Sequence, residues 1–159
     1  MAVRRIVKNG DPVLRKRSRE VVEINERIGQ IIDDMTETLH KENGLGIAAP
    51  QIGILKRIVV IDVGEGPFEL INPVIVTSEG EQEGIEGCLS VPGEFGKVKR
   101  PAFVKIKALN RKGKRIEKTG DALLARAFCH EINHLDGSLF IDLATEMYTQ
   151  DEYEQMEEK

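Results

Sequence analysis

The chain has 159 residues, a length that predicts one domain spanning 1–159 with a sizeable core. Apolar residues make up 40% and charged residues 31% of it, the balance of a globular protein rather than a disordered or fibrous one. The net charge of −4 argues against nucleic acid, DNA included, as the main partner, and no apolar run approaches the ~20 residues of a membrane span.

The opening stretch "MAVRRIVKNG" lacks the h-region and small-residue cleavage site of a secretory signal, so the expected compartment is the cytoplasm. In that compartment Cys88 and Cys129 are expected to be free thiols or metal ligands rather than a disulfide. Basic residues gather at Arg15, Lys16, Arg17 and Arg19, and again between 97 and 118. Acids beside them, among them Glu20, Glu94 and Glu117, make both runs read as solvated faces.

Taken in order, Asn9-Gly10 and Asp11-Pro12 predict turns. Ile28, Ile31, Ile32, Met35 and Leu39 then recur at three- and four-residue spacing, which predicts a helix over 25–41 that stops before Asn43-Gly44. Residues 57–63 read as a strand, and 68–79 as extended chain interrupted at Asn72-Pro73. Residues 103–109 alternate apolar and polar, and the turn "RKG" folds them back on 114–120 as a hairpin. Asp121 is placed to cap a second helix running to about residue 135, with Gly137 as its stop. The acidic tail from 149 onward reads as a short or frayed helix. Helix, several strands and helix, without βαβ alternation, predict the α+β class.

The second helix carries "AFCHEINHLDG", 127–137. With 3.6 residues per turn, His134 falls about 40° from His130, and Leu123 and Ala127 fall within about 60° on the same face. Glu131 lies at the edge of that face, while Leu124, Phe128, Ile132 and Leu135 point toward the core. Two imidazoles one turn apart with a carboxylate between them suit a bound metal ion, with Glu131 handling the proton of a water on that ion.

A third protein ligand is needed. Asp142, Glu146 and His40 are candidates, as is Cys88 in "GIEGCLSVPG", where a thiolate suits borderline metals. Spacing leaves Cys88 open between a ligand and a small buried residue. Gln51 in "GLGIAAPQIG" is likewise either a satisfied core amide or a donor aimed at a site. The glycines there allow close backbone approach, but the Lys and Ser/Thr of a phosphate loop are missing.

Three stretches in order, "GLGIAAPQ" (44–51), "EGCLS" (86–90) and "HEINH" (130–134), resemble the signature motifs of the peptide deformylases. The flanks "GDPVLRK", "LINP", "VKRPAFVKI" and "HLDG" are similar too, so the resemblance covers nearly the whole chain. It implies an α+β fold with a central HExxH helix surrounded by short antiparallel sheets, beside the N-terminal helix and a short C-terminal one. It implies that Cys88, His130 and His134 hold one divalent metal with water as fourth ligand. Fe(II) is the native ion implied, with Zn, Ni or Co suiting the same donors in purified protein.

The reaction implied is removal of the N-formyl group from the formyl-methionine of newly made polypeptides, releasing formate. Metal-bound water would attack the formyl carbon, Glu131 would act as base and then acid, and Gln51 and the backbone N–H of Leu89 would stabilise the oxyanion. Leu45, Gly46, Glu86, Leu123 and Ala127 are the expected substrate contacts. Gly44 and Gly46 would let the peptide lie alongside as an added strand. The partners implied are nascent formylated peptides, with transient ribosome contact. Rival classes on the same fold are a metallopeptidase or other amide hydrolase, and a non-catalytic relative with a structural metal.

Two positions depart from the family pattern. Asn133 stands where Asp is usual, and it projects away from Glu131, so it is not an expected ligand. A carboxylate there could pair with Arg126 or Arg100, whereas the amide keeps the shape and loses the charge. Activity is expected to survive this change. Cys129, off the metal face, is expected to serve packing.

Overall fold

The computed structural model describes residues 2–157. The first helix, α1 (Glu26–Lys41), closes as its periodicity predicts, with Ile28, Ile31, Ile32, Met35 and Leu39 all buried. Asn25 caps it, its side chain accepting from the Ile28 N–H at 3.1 Å, a contact that typically contributes ~1 kcal/mol.

The chain then forms β1 (Gly46–Ala48), a 3₁₀ turn over Ala49–Ile52, β2 (Ile58–Ile61) and β3 (Phe68–Glu79). The expected interruption at Asn72-Pro73 is a register shift within one continuous strand. Asn72 adopts the left-handed region there, with φ of 52°. Its side chain is satisfied twice by Val21, accepting from the N–H at 2.8 Å and donating to the carbonyl at 2.9 Å, so the irregularity ties the N-terminal segment to the sheet.

Residues 82–100, which alternate only toward the end of the second strand, form a second hairpin, β4 (Gln82–Cys88) and β5 (Val91–Arg100). The expected hairpin follows as β6 (Phe103–Leu109) and β7 (Arg115–Asp121), then α2 (Ala122–Leu135), β8 (Glu146–Thr149) and α3 (Gln150–Glu157). The tail is thus helical only after a short strand. The strands make two antiparallel sheets, one ordered β1-β2-β3-β6-β7 and the other β4-β5-β8. The class is α+β, as expected.

Helix α2 lies between the sheets, packing on β1, β2, β6 and β7 of the larger and on β5 of the smaller. One core joins α1 to β1 and β2, a second joins α2 to the larger sheet, and a third gathers Val91, Val98, Leu139 and Phe140 under the smaller. Each fully buried Leu, Ile or Phe contributes roughly 1.5–3 kcal/mol. Asp121 occupies the N-cap position of α2 but makes no side-chain capping bond, contrary to expectation. Gly137 ends the helix as predicted: φ is 81°, and a Cβ there would come within 2.6 Å of the Arg15 carbonyl oxygen. Among the described residues no helix is long and apolar enough to cross a membrane.

The second basic run is not wholly solvated. Val98 and Arg100 alternate inward along β5 with Gly96, and Arg100 is buried. The reason is a carboxylate waiting for it inside.

Candidate active site

Helix α2 brings His130 and His134 together one turn apart, their ring centroids separated by 5.1 Å. Strand β4 ends at Cys88, where a register shift against β5 between Glu86 and Cys88 re-aims the backbone. Cys88 Sγ lies 3.3 Å from His134 Nε2, and one ligand atom from each of Cys88, His130 and His134 falls within 4.8 Å of the others. The alternative third ligands are elsewhere: His40 bonds Asp62 at 2.8 Å, Asp142 pairs with Arg15, and Glu146 bonds Tyr148.

Glu86 corrects an expectation. It borders the cavity, but its carboxylate is turned into the protein rather than toward a substrate, because three partners claim it. Arg100 donates to it twice, through Nε and Nη2 at 2.8 Å each; Arg126 donates at 2.7 Å. The third partner is His130 Nδ1, 2.8 Å from Glu86 Oε1. A carboxylate accepting from Nδ1 fixes the tautomer and leaves the Nε2 lone pair for a ligand. Burial alone would raise the Glu86 pKa, but the hydrogen bonds from Arg100 and His130 hold it well below the usual carboxylate range.

Arg100 also reaches Asn133, donating to Oδ1 at 2.6 Å. Of the two arginines considered for position 133, Arg100 makes the contact and Arg126 serves Glu86. Cys129 is buried in the α2 core, as expected, and burial pushes its thiol pKa up.

The donor set fits a divalent cation. Burial pushes His134 well below the ordinary imidazole value, with the neighbouring His130 and Arg100 acting in the same direction, so it is neutral and able to ligate. For His130, burial would lower the pKa, but Cys88, Glu131 and Glu86 hold it well above the ordinary value. Groups that favour a proton at that point favour a metal cation there equally, and binding then releases the proton. A thiolate with two imidazoles suits Fe(II), Zn, Ni and Co alike.

Glu131 sits beside the triad, buried, and its Oε1 has no hydrogen-bond partner among the described residues. Burial is the main cause raising its pKa to about 7. Its other oxygen rests against Gly46, where a Cβ would come within 2.6 Å of it. Any other residue at 46 would displace the carboxylate.

Gln51 is buried in the 3₁₀ turn after β1. Its Oε1 accepts from the Ala48 N–H at 2.9 Å, and its Nε2 donates to Ser90 Oγ at 3.1 Å and to Cys88 Sγ at 3.6 Å. The amide is therefore held in one orientation with its NH₂ toward the triad. It is both a satisfied amide and a donor aimed at the site.

These groups open on a cavity of about 580 Å³, bordered by Leu45, Gly46, Leu89, Leu123 and Ala127. Leu45 and Leu123 are about half exposed, while Ala127 is buried. The cavity runs between β1 and β4, each the edge strand of its sheet. The Glu86–Arg100–Arg126 cluster and the aromatic residues Phe95 and Tyr153 on the cavity wall carry no motif of their own in the sequence. Two-residue periodicity linking Val98 to Arg100 was the available signal for the buried arginine.

A cysteine sulfur, two imidazoles and a buried carboxylate on an α+β scaffold are side-chain types that metallohydrolases use. The polypeptide deformylase family matches residues 3–150. A peptide deformylase of Acetivibrio thermocellus is 58% identical over 158 residues, covering 99% of this chain and 93% of the relative. The crystal structure of the Thermotoga maritima peptide deformylase superimposes with a TM-score of 0.90 at 40% identity, covering 92% of this chain and all of that one. A Synechococcus elongatus peptide deformylase in complex with actinonin gives a TM-score of 0.86 at 38% identity, covering 89% and 78% of the two chains. The chain belongs to the peptide deformylase family, and it is an enzyme.

Proposed function

We propose that the enzyme removes the formyl group from the N-terminal formyl-methionine of nascent polypeptides in the cytoplasm, with Cys88, His130 and His134 holding one divalent metal, Fe(II) natively. The family supports the deformylation itself. The observation that supports this site most directly is the closeness of the triad, the Glu131 carboxylate and the fixed Gln51 amide beside one cavity.

When bound, the ion supplies Lewis acidity and a water whose pKa falls from 15.7 toward ~7. Glu131, with a pKa near neutrality, takes a proton from the attacking water and returns it to the leaving amine. As the formyl carbon becomes tetrahedral, charge grows on its oxygen. One Gln51 N–H is committed to Ser90, and the other makes only a long contact to sulfur, so it is the one available to that oxygen. The Leu89 backbone N–H is the second proposed donor. Removing one such donor lowers turnover roughly 10²–10³-fold.

The peptide enters as an extended strand between the edges β1 and β4, with Gly46 allowing close approach. Leu45, Leu123 and Ala127 receive the methionine side chain, and Glu86 orients His130 instead of touching substrate. A formyl group has only hydrogen beyond its carbonyl carbon, so a tight site selects that small end. Asn133 preserves the Arg100 contact, which supports retained activity. Residues 1–159 act as one deformylase domain.

The test is formate release from formyl-Met-Ala by anaerobically prepared protein, with metal content measured on the same sample. Metal-loaded chain should release formate and chelated chain should not. No formate from the loaded protein, or faster cleavage of unformylated peptides, would overturn the reading.

A further inference from the structure

The rings of Phe95 and Tyr153 lie face to face, centroids 4.1 Å apart and planes 6° from parallel. Both border the cavity that holds His130 and Glu131. Phe95 stands directly on the backbone beside the triad: a Cβ at Gly87, the residue before Cys88, would come within 2.8 Å of its ring. Tyr153 arrives from α3, a helix of eight residues with no buried side chain.

So short and polar a helix gains little from its own propensity or from the core. It is tethered through β8, whose Tyr148 pairs with Phe95 across the small sheet. What α3 adds to the molecule is an aromatic ring laid on another at the mouth of the cavity.

We propose that the Phe95–Tyr153 stack is a docking wall for substrate residues that follow the formylated one, so that α3 helps choose which peptides are processed. This rests on the deformylase reading above. A peptide whose formyl group sits at the triad and whose backbone follows the edge of β4 advances ~3.3 Å per residue. A ring seated on Gly87 is therefore within reach of the second or third residue. An apolar or aromatic side chain there covers the open edges of the stack. Because the contact is remote from the reacting carbon and equal in ground and transition states, it acts on KM rather than on kcat.

The experiment compares formyl-Met-Ala with formyl-Met-Ala-Phe on the full-length, metal-loaded chain and on Tyr153→Ala and Tyr153→Phe. Tyr153→Ala should lower the ratio of kcat/KM for the longer peptide over the shorter by about fivefold, through KM. Tyr153→Phe should restore the ratio, since a phenyl ring stacks as well. An unchanged ratio, or equal losses on both peptides, would overturn the proposal. Calorimetric binding of the two peptides to chains carrying Glu131→Gln repeats the comparison without turnover, and an unchanged affinity ratio there overturns it independently. A wild-type chain that releases no formate from either peptide is a different outcome, which sinks the deformylase reading itself.

Discussion

The hairpins β4–β5 and β6–β7 use similar lengths of chain and obey different rules. In β6–β7 the register runs unbroken from Phe103 opposite Asp121 to Leu109 opposite Arg115. Its charges stay outside, with Lys105 and Lys107 sharing Glu117 at 3.4 and 3.5 Å. In β4–β5 the register slips between Glu86 and Cys88, and the buried ion pair of Glu86 and Arg100 is enclosed. Burying charge is costly and is sustained only by full pairing. The irregular hairpin thus spends stability that the regular one keeps, and what it holds in place is a thiol and the back of an imidazole.

The largest break in this comparison lies just across from the irregular hairpin. Glu131→Gln should lower kcat by roughly 10²–10⁴, while circular dichroism and metal content stay as in the parent. Unchanged turnover would remove Glu131 from the chemistry.

Next comes Glu86→Gln, which strands Arg100 and Arg126 beside a neutral group. Urea denaturation should show a loss of about 3–5 kcal/mol, and metal affinity should fall about 10–100-fold. The same residue sets an acid limb. Its folded pKa lies below its ordinary one, so its contribution is fully present above roughly pH 4.3 and drains away as pH falls further. The variant should lose that part of the slope, and an identical acid profile would argue against the ion pair.

A smaller effect is expected from Asn133→Asp. Arg100 already commits two donors to Glu86, so a second carboxylate shares a charge in use, and formate release should change by less than about tenfold. A gain of several orders under identical metal loading would show that Asn133 limits the reaction. The smallest effect belongs to the regular hairpin, where Glu117→Gln should leave Tm and turnover unmoved, because its partners are solvated lysines.

The same contrast explains what could be read from the chain. Periodicity suffices for α1, for the β6–β7 hairpin and for the histidine face of α2, because each repeats a local pattern over several turns or pleats. It fails over 82–100, where glycines, a register shift and inward charges erase the alternation. Ordered motifs point to Cys88, His130, His134, Glu131 and Gln51, which the structure brings together, all but His134 bordering one cavity. The inward turn of Glu86 was out of reach. It depends on Arg100, Arg126 and His130 converging from 14, 40 and 44 positions away, information held by the tertiary fold rather than by any window of sequence.

The two thiols carry a last consequence. Cys129 is sealed in the α2 core, where burial raises its thiol pKa, so it should resist alkylating reagents, whereas Cys88 is partly open to the cavity. Reagent uptake on the native chain should then follow a single sulfur, shielded while a cation holds it and exposed once the cation leaves. On the proposed ligation by Cys88, that uptake would serve as a stoichiometric gauge of metal occupancy, readable by mass without any substrate at all.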